Sequence, residues 1–529
     1  DAAALECERL VVLVPAVELL VGHRCPLRLP ALPRAVRDPR VRLGASGPDA
    51  RGEVLLGFNG WVPNDRIPTQ PWQMGAVEVA RLVARGDLSA TEVVESHRAR
   101  ADAVNGKLNA IVLRTDEDAL AGAARVDDGS VSGPIAGAVI TTKANTDHVP
   151  YPNDNGVKGL AANPSHSVAP CIRGLLEAGG LMLGRTNTPA FSMRLHTDND
   201  LHGETQNPYG RHITCGGSSG GAASAVAAGM CSIAQGNDVG GSIRFPAFSN
   251  GIWGLRPTMG RMTSGGTNPN ARGWTAAHMS THGPLARNME DLRAAYAAMN
   301  RPNWDDPFWV PAPDEFPGGD APVRVALVTE DGHGMSDVTR NAVRLTGRVL
   351  AEAGYEVDEV TPPMTEEIFG LWQRLGAVDL LLGLVPMLEA IGDAGLAEVY
   401  GHWKDTFPEP TGATFMTAFQ SRDTVLRAWN TFLATYPLVV MPVYSDPFMR
   451  SGQDRESAVA MRDVAEKARW VLNLPALGIP ALAVPTGVID GAPHGVQIAS
   501  HAWREDILLR AGDVIEQATG RIAPVDPTW

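Results

Sequence analysis

Residues 134–189 place the tightest constraint on the fold. "PIAGAVITTKANTDH" reads as a buried strand running into a loop that carries Lys143. "SVAPCIRGLLEAGG" reads as a helix ending at Gly179-Gly180, and "LMLGRTNTP" as a short strand followed by a loop. Strand, helix and strand in this order place two parallel strands beside each other with the helix packed across them. The order returns further on, where "VRVALVT", a long helix around "VTRNAVRLTGRVLAEAG" and "YEVDEV" follow one another. The chain is therefore expected to be an α/β protein with a mostly parallel sheet covered by helices.

The remaining segments fit that class. "MGAVEVARLVARGD" has the apolar spacing of a helix, and Ser89…Glu92 forms a capping box ahead of a second one. "CSIAQGNDVGGSIRFPA" and "GIWGLRPTMGRM" are short apolar pieces divided by Gly and Pro. After a Pro/Gly-rich connection, residues 363–436 read as mainly helical, with scattered aromatics. "PLVVMPV", "PALAVPTG" and "HGVQIAS" are strands, and "REDILLRAGDVIEQATG" is a last helix. The first 58 residues differ from everything after them: eight Arg but no Lys, six Pro, and no Thr, Asn, Gln, Ile or Tyr. Residues 1–60 are expected to be an extension, poorly ordered or upstream sequence carried into the reading frame, and residues 61–529 one large domain.

Composition narrows the class of function. A formal net charge of −14 argues against a nucleic-acid binder working through a basic face. Five widely spaced cysteines, Cys7, Cys25, Cys171, Cys215 and Cys231, have no C-x-x-C pair and suit free thiols in a reducing, cytoplasmic setting. No segment reaches the ~18 apolar residues of a membrane span. The nearest, "RLVVLVPAVELLVG", is broken by Pro15 and Glu18 and lacks the positive flank of a secretory signal.

The stretch "GGSSGG", residues 216–221, admits three readings. It could be a flexible tether, a phosphate cradle at a helix start, or a backbone held close to a reacting group with serine hydroxyls in the chemistry. A tether normally joins polar ground, whereas this stretch leads into the Ala-rich "AASAVAAGM". A nucleotide loop would end in G-K-[ST], and no such Lys is present. Ser242 follows downstream, again directly after two glycines, and Lys143 lies upstream at the end of an apolar strand. The bare residues leave a Ser-Ser-Lys constellation and plain structural serines both open.

"GGSSGGAASAVAAGM" with "GNDVGGSIRFPAFSNGIWGLRPTMGRM" resembles the amidase signature family of serine hydrolases. "ITTKANTD" is similar to that family's catalytic-lysine segment. "GRTNTPAF" and "TQNP" are similar to the approach to its signature, and "PTGVIDGAPHGVQIAS" with "REDILLRAGDVIE" to its C-terminal end. The resemblance spans residues 74–525 and is weakest over 300–440. It implies a single large α/β domain with a central mixed sheet between layers of helices. It implies Ser242 as the nucleophile, Ser218 as the bridge after a cis Gly217–Ser218 peptide, and Lys143 as a neutral base. The N–H groups of Val239, Gly240, Gly241 and Ser242 would face the oxyanion. Neither a cofactor nor a metal is required. The substrate would be a small-molecule amide or carbamate, handled by a monomer or homodimer without nucleic acid or membrane.

Around this triad, Asp238 and Arg244 are expected to form a structural ion pair, with Ser219 and Gly217 supporting the site. Met193, Cys215 and Ile243 are candidates for the substrate pocket, with Trp304, Phe308, Phe369 and Trp372 as further wall candidates. "HTDNDLH", from His196 to His202, has the residue types of a metal site but no helix to array them. Many relatives carry threonine where this chain has Asn237. Two alternatives stand beside the amidase reading: a glutaminase-type subunit of a tRNA-dependent amidotransferase, and a catalytically silent ligand-binding relative.

Overall fold

The computed structural model describes residues 68–264, 272–317, 322–404 and 409–529. The extension expected at 1–60 lies outside the described residues. The strands are β1 (Ile111–Arg114), β2 (Val139–Lys143), β3 (Leu181–Thr186), β4 (Ile233–Asp238), β5 (Trp253–Arg256), β6 (Thr281–Ala286), β7 (Arg324–Leu327), β8 (Glu356–Glu359), β9 (Leu438–Pro442), β10 (Ala481–Ile489) and β11 (Ala492–Ser500). They form one eleven-stranded sheet in the order β1-β3-β2-β4-β6-β5-β10-β11-β9-β7-β8.

Parallel pairing is confined to two groups, β3-β2-β4 and β9-β7-β8. The pairs between and beyond them are antiparallel, so the sheet is mixed rather than mostly parallel. One cause is legible locally. β10 and β11 are joined by Asp490-Gly491 alone, both at positive φ (50° and 79°), and a two-residue turn of this kind only closes an antiparallel hairpin.

Successive strand residues serve opposite faces, as the two-residue pleat requires. Val139 and Ala234 belong to one core, and their neighbours Ile140 and Ile233 to another. The second core runs beneath the sheet and reaches Val440 and Val496, covered by helices that include Pro170–Glu177, Met289–Met299, Asp337–Glu352 and Glu505–Thr519. On the opposite face, helices Ala90–Leu108, Asp116–Asp127 and Gly220–Ala227 cover the β1–β4 half. Helices Thr365–Asp379, Gly412–Thr435 and Arg469–Leu477 cover the β9 side.

Several details depart from the sequence reading. "RFPAFS" is not an irregular apolar piece but a short helix, Arg244–Ser249, on which every residue is buried. Lys143 is the last residue of β2, the strand end rather than the loop that follows, as its place at the end of an apolar run suggests. One helical run, 365–388, is long and apolar enough to cross a membrane by length and composition, with 33% of its window buried. That run is tied into the fold: Ile368, Leu371 and Leu375 pack in the core, and Asp379 accepts the Trp274 and Thr275 N–H groups at 3.1 and 2.6 Å. The Ser89–Glu92 capping box forms as expected, with bonds of 3.1 and 2.9 Å.

Candidate active site

The parallel neighbours β2 and β4 end side by side, which is where open α/β sheets offer room for a ligand. Lys143 ends β2, Asp238 ends β4, and the loop after β4 carries Val239 through Ser242. The 216–219 turn meets them from the opposite side. Its glycines are required by space: a Cβ on Gly217 would stand 2.4 Å from the Arg194 carbonyl oxygen. Gly241 has φ of +94°, and a Cβ there would meet Val471 at 2.7 Å.

The structure brings the three expected groups into this corner. Lys143 Nζ lies 2.6 Å from Ser218 Oγ, and both residues are buried. The Gly217–Ser218 peptide is cis. The Ser219 N–H donates to the Ser242 carbonyl at 3.2 Å, which joins the glycine-serine turn to the backbone of the third residue. Ser242 is 5% exposed and lines a cavity. Burial pushes the Lys143 ammonium well below its ordinary 10.5, against the opposing pull of the Asp238 carboxylate. Burial thus favours the neutral amine over the ammonium.

Asp238 organises the loop between itself and the short helix. Its oxygens accept from Arg244 Nε at 3.0 Å and Nη2 at 3.1 Å, and from the Gly241 N–H at 2.8 Å. Burial raises the carboxyl, but Arg244 and Arg256 outweigh that effect and hold it below the usual carboxylate range. The Gly241 bond alters the expected oxyanion set. That N–H is already committed to a carboxylate, whereas those of Val239, Gly240 and Ser242 have no acceptor among the described residues. Ser219 Oγ points back to the Asn237 carbonyl at 3.5 Å, a supporting contact.

Behind the lysine lies a polar layer of which the sequence marks only Asn237. Gln235 Oε1 accepts from Thr142 Oγ1 and from the Lys143 N–H, at 2.9 and 3.2 Å. Its Nε2 faces His282 Nδ1 at 2.9 Å, so that ring nitrogen is the acceptor and the imidazole is neutral. Burial and the nearby Lys143 push His282 down to about 4. On the other side, Lys143 Nζ donates to Asn237 Oδ1 at 2.8 Å. No motif marks Gln235 or His282; only the strand register of β4 against β2 and β6 reveals them.

A partly open cavity lies over Ser242. Its walls include Met193, Trp372, Trp403, Met461, Val464 and Leu472. Trp372 and Trp403 are stacked, with ring centroids 5.8 Å apart and planes at 22°. Of the expected wall residues, Met193 and Trp372 take their places. Cys215 and Ile243 do not: Cys215 is buried with its thiol toward the Gly216 carbonyl, and Ile243 packs in the core that covers the β1–β4 half of the sheet. Phe369 packs against Arg469, Phe308 stacks edge-on with His278, and Trp304 is 81% exposed. Trp403, Met461 and Leu472 were missed because they sit far away in sequence on three separate helices. Met461 and Val464 do share one helix face, an amphipathic pattern that would have marked that helix as packed but not as pocket.

The histidine segment resolves into separate structural contacts. His196 Nδ1 pairs with Thr214 Oγ1 at 2.9 Å and its Nε2 faces Glu204 at 3.3 Å, while His202 faces Asp154 at 3.2 Å. No group of three or more metal-ligating side chains occurs among the described residues.

Comparison with known proteins places this arrangement among relatives. The Amidase family model matches residues 92–509. An indoleacetamide hydrolase of Bradyrhizobium diazoefficiens is 38% identical over 462 residues, covering 85% of this chain and 88% of that protein. An acylamidase of Rhodococcus erythropolis is 32% identical over 454 residues, 83% of this chain and 94% of that protein. Among solved structures, a substrate complex of 6-aminohexanoate cyclic dimer hydrolase superposes with a TM-score of 0.74 at 25% identity, over 85% of this chain and 97% of that one.

Proposed function

The chain belongs to the Amidase family and is a hydrolase of amide C–N bonds, and on that premise we propose that it works through an acyl-enzyme on Ser242. Ser218 takes the Ser242 proton as it passes its own to Lys143 Nζ, and the freed alkoxide attacks the amide carbonyl carbon. The developing oxyanion meets the open N–H groups of Val239, Gly240 and Ser242. Losing one such donor costs on the order of 3 kcal/mol in the barrier. Collapse of the tetrahedral intermediate breaks the C–N bond, and the departing amine recovers a proton through Ser218. Water then repeats the sequence on the acyl-enzyme and releases the acid.

The observation that carries this reading is the 2.6 Å contact between Lys143 Nζ and Ser218 Oγ in a fully buried corner. A lysine free in water, with pKa ~10.4, would be neutral too rarely at pH 7 to serve as a base. Burial supplies what the role requires.

For the substrate, we propose an aromatic amide, foremost the primary amide of an arylacetic acid. Two facts support this choice: the stacked Trp372–Trp403 wall of the cavity over Ser242, and relatives named for indoleacetamide and acylamide hydrolysis. Anilides and aryl carbamates present similar flat groups and form the next tier. Glutamine suits the cavity less. Its charged α-amino acid group would meet mostly apolar walls, where Arg194 and Asp454 already satisfy each other at 2.8 and 3.0 Å. The test is amine release by the isolated chain from indole-3-acetamide, an anilide, an aryl carbamate and glutamine. Fastest turnover of an aromatic amide is expected. Turnover of glutamine alone, or only with a partner subunit, would overturn the substrate assignment.

A further inference from the structure

The lysine has a second neighbour whose orientation is dictated from outside the triad. Asn237 Oδ1 accepts from Lys143 Nζ at 2.8 Å. An amide can be rotated to present either oxygen or nitrogen, so something must choose. Asn145 makes the choice. Asn237 Nδ2 donates to Asn145 Oδ1 at 2.9 Å, and Asn145 Nδ2 returns a bond to Asn237 Oδ1 at 3.3 Å. Asn145 is fixed in turn, because its Nδ2 donates to Ser192 Oγ at 2.8 Å while the Ser192 hydroxyl donates to Asn155 Oδ1 at 2.9 Å. Donation runs outward from the lysine through Asn237, Asn145 and Ser192 to Asn155, and Ser192 lines the substrate cavity; the Asn145 bond back to Asn237 closes the amide pair. Ser192 itself stands at φ 60°, a left-handed conformation that a non-glycine residue adopts only when its surroundings hold it there.

We propose that Asn237 is a positioning residue for Lys143, and that Asn145 and Ser192 lock it in that role. A neutral amine has two N–H bonds and one lone pair. Asn237 Oδ1 can only accept, so it takes one N–H and leaves the lone pair for the Ser218 hydroxyl. Flipped, the same amide would offer Nδ2 to the lysine and compete with Ser218 for that lone pair. A threonine here would accept through a hydroxyl that can also donate, whereas the paired amide is a fixed acceptor. This inference rests on the assignment of Lys143 as the base. The other charged or titratable groups around the lysine are Asp238 on β4, His282 on β6 and Arg185 on β3, whose guanidinium bonds the Lys143 carbonyl at 3.4 Å.

The test compares kcat, KM and the pH profile of kcat/KM, on an amide the wild type turns over, for Asn237→Leu, Asn237→Thr, Asn237→Asp and Asn145→Leu, with Lys143→Ala alongside. Asn237→Leu and Asn145→Leu are expected to lower kcat by about 10–100-fold, a fraction of what general base catalysis supplies, with KM within about twofold. Asn237→Thr should recover most of the loss. Asn237→Asp, nearly isosteric, sets a carboxylate against the amine and should move the acid limb upward by about 1 pH unit or more. If folded Asn237→Leu keeps wild-type kcat, or if Asn237→Asp leaves the acid limb in place while Lys143→Ala is inactive, the positioning role is overturned and the base assignment stands. If Lys143→Ala turns over like wild type, the base assignment falls, and this inference with it. Should the leucine variants fail to fold, the acid limb of Asn237→Asp decides alone.

Discussion

Asp238 and Arg244 face each other through two hydrogen bonds, of 3.0 and 3.1 Å, at a place where neither side chain reaches solvent. Arg244 donates from Nη1 to Gln497 Oε1 at 2.6 Å and from Nη2 to the Val471 carbonyl at 2.8 Å. The pair therefore ties the loop after β4 to β11 and to helix Arg469–Leu477. Removing one partner strands a buried charge. Asp238→Ala, which also leaves Arg256 without its 3.5 Å neighbour, is expected to cost about 3–5 kcal/mol of stability. Urea unfolding monitored by circular dichroism checks it. A midpoint like that of wild type would show that the pair holds nothing in place.

The buried lysine makes opposite demands on activity and stability. Its neutral form is the base, so kcat/KM is expected to fall as pH drops through the folded-state pKa, which burial places well below 10.5. The sign for stability follows from proton uptake. Between the folded and unfolded pKa values the unfolded chain holds the extra proton, so stability rises with pH across that window. Lys143→Met should abolish turnover yet melt at a higher temperature than wild type at pH 7, with the gap closing as pH rises toward 10.5. Melting curves at several pH values, run beside activity assays, check both halves.

The aromatic wall predicts selectivity rather than general loss. Trp403→Ala removes one ring of the stacked pair and should reduce kcat/KM for an arylacetamide by about 10–100-fold, the worth of a large apolar contact. Acetamide, too small to reach the ring, should lose less than about threefold. Trp372→Phe keeps a ring but loses the indole bond to the Val239 carbonyl at 3.3 Å, so it should act on kcat for both substrates. Parallel kinetics on the two amides separate these effects.

Much of this was legible in the sequence because the relevant signals are local. β2, β3 and helix Pro170–Glu177 are short apolar runs, the helix divided from β3 by Gly179-Gly180, and Lys143, Ser218 and Ser242 each sit in a distinctive glycine or strand-end context. What stayed hidden depends on contacts between distant segments. Apart from the β10–β11 hairpin, the antiparallel middle of the sheet follows from strand order, which no single segment specifies. Helix Arg244–Ser249 is six residues long, contains Pro246 and has no side-chain cap, so it lacks periodicity and stop signals alike. The capture of the Gly241 N–H by Asp238, and the Asn145–Asn237 amide pair, depend on side-chain directions fixed only once β2 and β4 are in register. The pocket wall draws on Trp403, from the region where the resemblance is weakest, and on Met461 and Leu472 from two later helices.

The measurement that bears most directly on this account is kcat/KM of Ser242→Ala on the amide that wild type hydrolyses fastest, with melting temperature measured on the same sample. Loss of a serine nucleophile removes the acyl-enzyme route entirely, and a fall of about 10⁴-fold or more is predicted with the fold intact. Turnover within tenfold of wild type would mean that another group forms the bond to the carbonyl carbon, and the role given to Ser218 and Lys143 would fall with it.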